Sequence, residues 1–227
     1  EQEAQTFQNL ADGFGTRGAL LQNSRGTIRN VGGRFREELE FIPKVTLAVG
    51  LNRLGSIAHV QGERSLARAY YEQSLAIRRL IDERRGVASS LNNIGLVLFD
   101  QSDYSAARDY LAQSLAIRRE IGDQVGIADS LNNLALLVTE QADYQLARDY
   151  YQQSLQIRRT IGDQPGLAGG LYNLGFVAQR QTDYVAAADF YQQSLTICQA
   201  LGIKDLALLN LGNLTVAQLK LQQTEKA

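Results

Sequence analysis

The sequence predicts an all-α fold, a solenoid of antiparallel helix pairs. Three observations predict it. LNRLG at 51–55, LNNIG at 91–95, LNNLA at 131–135 and LYNLG at 171–175 recur at one constant interval. YYEQSLAIRR at 70–79, YLAQSLAIRR at 110–119, YYQQSLQIRR at 150–159 and FYQQSLTICQ at 190–199 keep the same interval. The short segments SDY at 102–104, ADY at 142–144 and TDY at 182–184 keep it too. Three segments in phase over four units define a repeat of stacked supersecondary units, none of which buries its apolar face alone.

Taken in order, residues 1–44 are the least regular. Gly13, Gly15, Gly18, Gly26, Gly32 and Gly33 crowd them, and a mid-helix glycine costs about 1 kcal/mol relative to alanine. FREELEFIPKVTLA at 35–48 still lies over IRRTIGDQPGLA, with Phe41 at the Ile161 position. The reading is a degenerate N-terminal unit, with helices at 2–12 and 34–42. It serves as an imperfect cap or as a segment docked on the solenoid, its own or a neighbour's; plain disorder is the remaining alternative.

Residues 45–207 form four units of two helices each. In the first helix Leu91, Ile94, Gly95 and Leu98 follow helical spacing. In the second, Ala107, Leu111, Ser114 and Leu115 do the same. Gly55, Gly95, Ala135 and Gly175, with Ala67, Ala107, Ala147 and Ala187, keep the two backbones close. Tyr71, Tyr151 and Tyr191, replaced once by Leu111, read as packing between helices. Asp103, Asp143 and Asp183 stand where a side chain caps the following helix. Ile-Gly-Asp at 121–123 and 161–163 reads as the opposite turn, with glycine as a left-handed helix stop. A fifth start, LLNLG at 208–212, follows LYNLG at 171–175 too early for the repeat. It predicts a connector that has lost three positions, then a capping helix over 208–227 whose tail, LTVAQLKLQQTEKA, turns polar.

The succession L-x-x-L-G, D-Y-x-x-A and Y-x-x-S-L-x-I resembles the tetratricopeptide repeat family, over residues 45–222. The 40-residue period is similar to that of kinesin light chains and bacterial regulatory arrays, against the family's common 34. The usual tryptophan is replaced by Leu51, Leu91, Leu131 and Leu171, and the usual proline by Arg79, Arg119 and Arg159. The resemblance implies a right-handed superhelix whose first helices line a concave wall.

Composition excludes several functions. Hydrophobic residues make up 44% and charged residues 21% of the 227, a folded rather than a disordered balance. A net charge of −1 supplies no basic excess to displace the counterions of a duplex, so no nucleic acid is expected as partner. One cysteine, Cys198, builds no disulfide framework, and with one histidine, His59, no zinc site. Cys198 takes the place of Arg78, Arg118 and Arg158 and reads as a bystander in a helix. His59 reads as a solvated or packed imidazole. GLAGG at 166–170 is a connector in repeat phase rather than a phosphate loop. No enzyme activity, cofactor or metal is expected. With no long apolar run and no basic-then-apolar leader in EQEAQTF, no membrane is expected as partner, and a cytoplasmic location is. The absence of methionine reads as a processed or excised piece.

The candidate site is a row of amides. Asn52 with Arg53, Asn92 with Asn93, Asn132 with Asn133, and Tyr172 with Asn173 recur one repeat apart. Asparagine is disfavoured inside helices because its amide competes for backbone bonds. Repeated there, on the wall the resemblance makes concave, it either clamps the backbone of an extended peptide or bonds one unit to the next. Leu96, Leu136 and Phe176, with Ser56 in the first unit, add an apolar row one turn along, suited to spaced apolar anchors. His59, Phe99, Thr139 and Gln179 follow it. The lysine-rich carboxylate clamp of co-chaperone relatives is missing; the lysines are Lys44, Lys204, Lys220 and Lys226. The arginine pairs 78–79, 118–119 and 158–159 form a basic ladder at helix C-termini, with Glu120, Asp123 and Asp163 nearby. The function expected is a non-catalytic protein-interaction scaffold for a peptide or partner domain. One alternative is the sensor segment of a larger signalling ATPase, transcription regulator or caspase-like protease. Another is a self-associating module, a homo-oligomer formed through the N-terminal end.

Overall fold

A computed structural model describes residues 44–225, and all of its elements are helices. They are α1 (Lys44–Val60), α2 (Arg64–Leu80), α3 (Arg84–Asp100), α4 (Tyr104–Glu120), α5 (Gln124–Glu140), α6 (Tyr144–Ile161), α7 (Gln164–Arg180), α8 (Tyr184–Leu201) and α9 (Lys204–Glu225). The helices expected at 2–12 and 34–42 lie outside the described residues. The fold class is an all-α solenoid of helix hairpins. The chain divides into two compact units, one up to Ile117 and one from Arg118 onward.

From α2 onward the helices start at Arg64, Arg84, Tyr104, Gln124, Tyr144, Gln164, Tyr184 and Lys204. The interval is constant, so both turns of the repeat are built alike. A left-handed residue stands two places before each of these starts: Gly62, Asp82, Ser102, Gly122, Ala142, Gly162, Thr182 and Gly202, with φ between 53° and 80°. Glycine takes four of these places, so the sequence motif shows only half of them. At six of the eight starts, all but those of α2 and α9, the side chain just before the helix then caps it. Asp103 accepts from the Ala106 N–H at 3.2 Å, Asp143 from Leu146 at 3.2 Å, and Asp183 from Ala186 at 3.0 Å. In the other turn Glu83, Asp123 and Asp163 accept from Gly86, Gly126 and Gly166 at 3.0, 3.2 and 2.9 Å.

This rhythm corrects the expected early start of the fifth repeat. Gly202 is left-handed at φ 70°, in phase with Gly122 and Gly162, and Lys204 opens α9 in phase with Gln124 and Gln164. Leu211, not Leu208, is therefore the counterpart of Leu171, and no positions are lost. The resemblance of LLNLG to LYNLG is offset by about one helical turn, which leaves similar residues on similar faces. Leu208, Leu209 and Leu211 are exposed ahead of the tail that the sequence reads as polar, and Val216 and Leu219 are exposed within it.

In the first compact unit, Ala48, Leu51, Ala67 and Tyr71 are buried between α1 and α2, and Ala88, Leu91, Ala107 and Leu111 between α3 and α4. A Cβ at Gly55 would lie 2.7 Å from the Tyr71 ring, and one at Gly95 2.8 Å from Leu111. The small residues thus sit at the closest approach of each hairpin. In the second compact unit Ala178, Ala187, Tyr191, Leu195, Leu214 and Ala217 form one buried cluster.

Candidate functional site

The first helix of each hairpin carries the amide row. In the first compact unit Asn93 Nδ2 on α3 donates to Asn52 Oδ1 on α1 at 3.2 Å. In the second, Asn173 Nδ2 on α7 donates to Asn132 Oδ1 on α5 at 3.1 Å. Asn213 Nδ2 on α9 donates to the Tyr172 hydroxyl at 3.1 Å. Every bond runs from the second position of one repeat to the first position of the repeat before. Asn92 is buried, and neither it nor Asn133 is free. Each of the three bonds spends one amide N–H, while a primary amide has two donors and an acceptor.

Beside the amides lie the apolar positions. Leu96 in the first compact unit and Leu136 in the second are half-buried, and Phe176 is 37% exposed. Arg53 is exposed, and Ser56 accepts from the Tyr71 hydroxyl at 3.2 Å while donating to the Asn52 carbonyl. The Arg180 guanidinium stands 6.0 Å from the Phe176 ring centroid and donates to the Tyr144 hydroxyl at 3.4 Å, a cation–π contact on the same face. His59 Nε2 lies 2.6 Å from Asp100 Oδ2, joining α1 to α3. Sequence reasoning missed Asn213 and Val216, which continue the Tyr172–Asn173 and Phe176 rows one period on. The left-handed Gly202 would have revealed them.

The arginine pairs are not one basic ladder. Arg78, Arg118 and Arg158 are buried, whereas Arg79, Arg119 and Arg159 are exposed. Arg118 Nη1 donates to the Gly126 carbonyl at 2.5 Å and to Ser130 Oγ at 3.1 Å. Arg158 donates to Asp129 at 2.6 Å and also bonds Asp163. Burial holds the Arg78 and Arg118 pKa values below the ordinary arginine value. Half of each pair is thus a structural strut that anchors the next helix. Cys198 replaces this strut and is fully buried. Among the described residues no group of histidine, cysteine, aspartate and glutamate could hold a metal, and no helix is long and apolar enough to cross a membrane.

Helix pairs stacked at a fixed interval define the class of helical repeat proteins. The tetratricopeptide repeat model matches residues 46–120 and 86–160, together half of the chain, and the chain belongs to that family. A search of curated proteins gave no match. Among solved structures, BtubC (BKLC) from P. vanneervenii is similar with a TM-score of 0.70 at 18% identity, over 89% of this chain and 88% of that one. Nearly identical TPR-like repeats of a Podosopora anserina putative kinesin light chain give 0.65 at 17% identity, over 81% and 90%. A Rap protein complexed with Competence and Sporulation Factor gives 0.69 at 19%, over 84% of this chain and 56% of that one. At these identities the likeness is one of fold, and this chain spans about half the length of the Rap protein.

Proposed function

We propose that the chain is a protein-interaction scaffold that holds an extended peptide, or an extended stretch of a partner domain, along its first-helix face and performs no chemistry. The amide ladder carries this reading. Asn132 and Asn173 are fixed by their mutual bond yet keep further donors and acceptors. They are thereby preorganised to take the backbone of a guest, which lowers the entropy lost on binding. Leu136 and Phe176 then offer places for apolar side chains at repeat spacing. Arg118 and Arg158 are buried and the net charge is −1, which supports protein rather than nucleic acid as partner. The cytoplasm, a division into an N-terminal segment, four two-helix units and a last helix that opens at Lys204, and the site residues named above belong to this proposal.

The test is capture of peptides from an immobilised random array by the chain and by the Asn93→Ala, Asn133→Ala, Asn173→Ala triple variant. The scaffold reading expects discrete peptides to be retained by the parent and lost by the variant, with the variant still cooperatively folded. Retention by both would assign the amides to structure alone. A variant carrying Phe176→Glu, at an exposed position, checks the apolar row without touching the ladder.

A second reading is a sensor segment of a larger regulator. The similarity to a Rap protein of which this chain spans about half favours it. The gene sequence on either side of these residues decides it: a neighbouring nucleotide-binding, DNA-binding or protease domain is the expected result.

A further inference from the structure

The face of α9 turned away from α8 is apolar and open. Asn210 and Ala217 are fully buried and mark the inner side of the helix. Opposite them, at helical spacing, stand Leu208, Gly212, Thr215 and Leu219, with Leu209, Leu211 and Val216 on the flanks. The five large aliphatic residues among these are 42–72% exposed. A contiguous apolar surface of this kind marks an interaction site.

On α7 the counterparts of Leu208, Leu211 and Thr215, which are Ala168, Leu171 and Gly175, are buried on the side of the second helix of the hairpin. That packing demands a very small residue at the closest approach: a Cβ at Gly175 would lie 2.7 Å from the Tyr191 ring. One period on, α9 carries Thr215, and Gln218 stands at the Ala178 position. A branched side chain fills the space of the ring, so a second helix bearing tyrosine at this place does not pack here as it does on α7.

A second α9 does fit. Asp205, Leu208, Gly212, Thr215, Leu219 and Gln222 alternate at three- and four-residue spacing, the seam of two helices packed side by side. Laid antiparallel about a point between Asn213 and Leu214, the seam complements itself. Leu208 meets Leu219, Gly212 meets Thr215, and the Asp205 carboxylate meets the Gln222 amide, each pair formed twice. The apolar flanks then fall together, Leu209 beside Val216. We propose that α9 pairs with α9 of a second copy of this chain, in an antiparallel two-fold dimer. Such an interface is isologous and closes on itself.

Sedimentation velocity of the chain over a range of concentrations should show a monomer–dimer equilibrium. The Leu208→Glu, Leu219→Glu variant alters only exposed positions and should keep its circular dichroism and melting profile. Its dimer should weaken more than about 100-fold, because four leucines, in two mutual contacts, are lost per dimer. Thiol pairing fixes the register. Leu208→Cys chains mixed with Leu219→Cys chains should form the mixed disulfide. Leu208→Cys chains alone should not, since two copies of residue 208 stand about 16 Å apart along the axis. A chain that stays monomeric at every concentration overturns the proposal. So does a dimer indifferent to the two glutamates, or one in which Leu208→Cys links to itself.

Discussion

The hydroxyl of Ser154 donates to the backbone carbonyl of Ala128 across 2.8 Å and ties α6 to α5. Ser74 with Ala48, Ser114 with Ala88, and Ser194 with Ala168 make the same bond at the same distance. All four serines are fully buried, so a hydroxyl deprived of this acceptor has no water to turn to. The bond fixes how far along the first helix the second one lies, and it explains why a polar residue recurs inside the Q-S-L motif.

Replacing Ser154 by alanine removes the bond to Ala128 and also the acceptor of the Arg158 Nε–H at 3.3 Å, without adding bulk. The loss should be at least about 1 kcal/mol, read as a lower urea midpoint with an unchanged slope. An unchanged midpoint would show that the staple contributes nothing net.

Gly175→Val should cost more, about 1–3 kcal/mol, because overpacking displaces neighbours in a close-packed core. The Tyr191 ring at 2.7 Å is itself fully buried and has nowhere to move. Gly175→Ala should be milder than the valine but still costly to the packing, because its Cβ alone lies 2.7 Å from the ring and the hairpin must open by a few tenths of an ångström. Ala135 holds the same place opposite the fully buried Tyr151 of its own hairpin, and alanine recovers about 1 kcal/mol of helix propensity. Thermal melts of the two variants check the order, and equal losses would contradict it.

Much of this was legible in the sequence, because packing between neighbours recurs once per period and repeated contacts leave repeated letters. Gly55, Gly95 and Gly175 could be read as points of close approach from their phase alone. Ser102, Ala142 and Thr182 could not be read as left-handed residues, since the turn imposes a positive φ on side chains that do not advertise it. The start of α9 was misplaced because Leu208 and Leu211 lie one turn apart and look alike to a pattern. Arg118 and Arg119 are adjacent letters of one kind, yet one is buried and the other exposed; only the direction of each side chain separates them. The amide row was recognised, whereas its internal bonds depend on the one-place offset between neighbouring first helices.

The fourth repeat replaces the arginine strut as a set. Where Arg118 bonds Gly126 and Ser130, the equivalents are Cys198, Leu206 and Asn210. Asn210 donates to Ser194 Oγ and the Leu206 carbonyl, both at 2.8 Å, and fills the space beside the smaller cysteine. Arg118→Cys alone should cost about 3 kcal/mol, since it empties a buried site and strands its partners. Gly126→Leu alone should also destabilise, because a side chain there meets the Arg118 side chain. Combined with Ser130→Asn, the two should recover at least half of the summed loss. Chemical denaturation of the single and triple variants measures the coupling, and simple additivity would refute it.

Alkaline pH should unfold the chain through its buried phenols. Burial raises the Tyr151, Tyr191 and Tyr71 pKa values above the ordinary 10.0. In the unfolded chain these phenols lose their protons near the ordinary value, while in the folded chain they do not. The folded state therefore holds more protons above that pH, and stability falls as pH rises. Their contribution is complete below pH 10.0 and lost progressively above it. Melting temperatures followed from neutral to strongly alkaline pH should stay level and then drop beyond that point. Tyr151→Phe, which removes one of the three phenols, should make the drop shallower. A Tyr151→Phe profile that falls as steeply as the parent's would assign the alkaline transition to other groups.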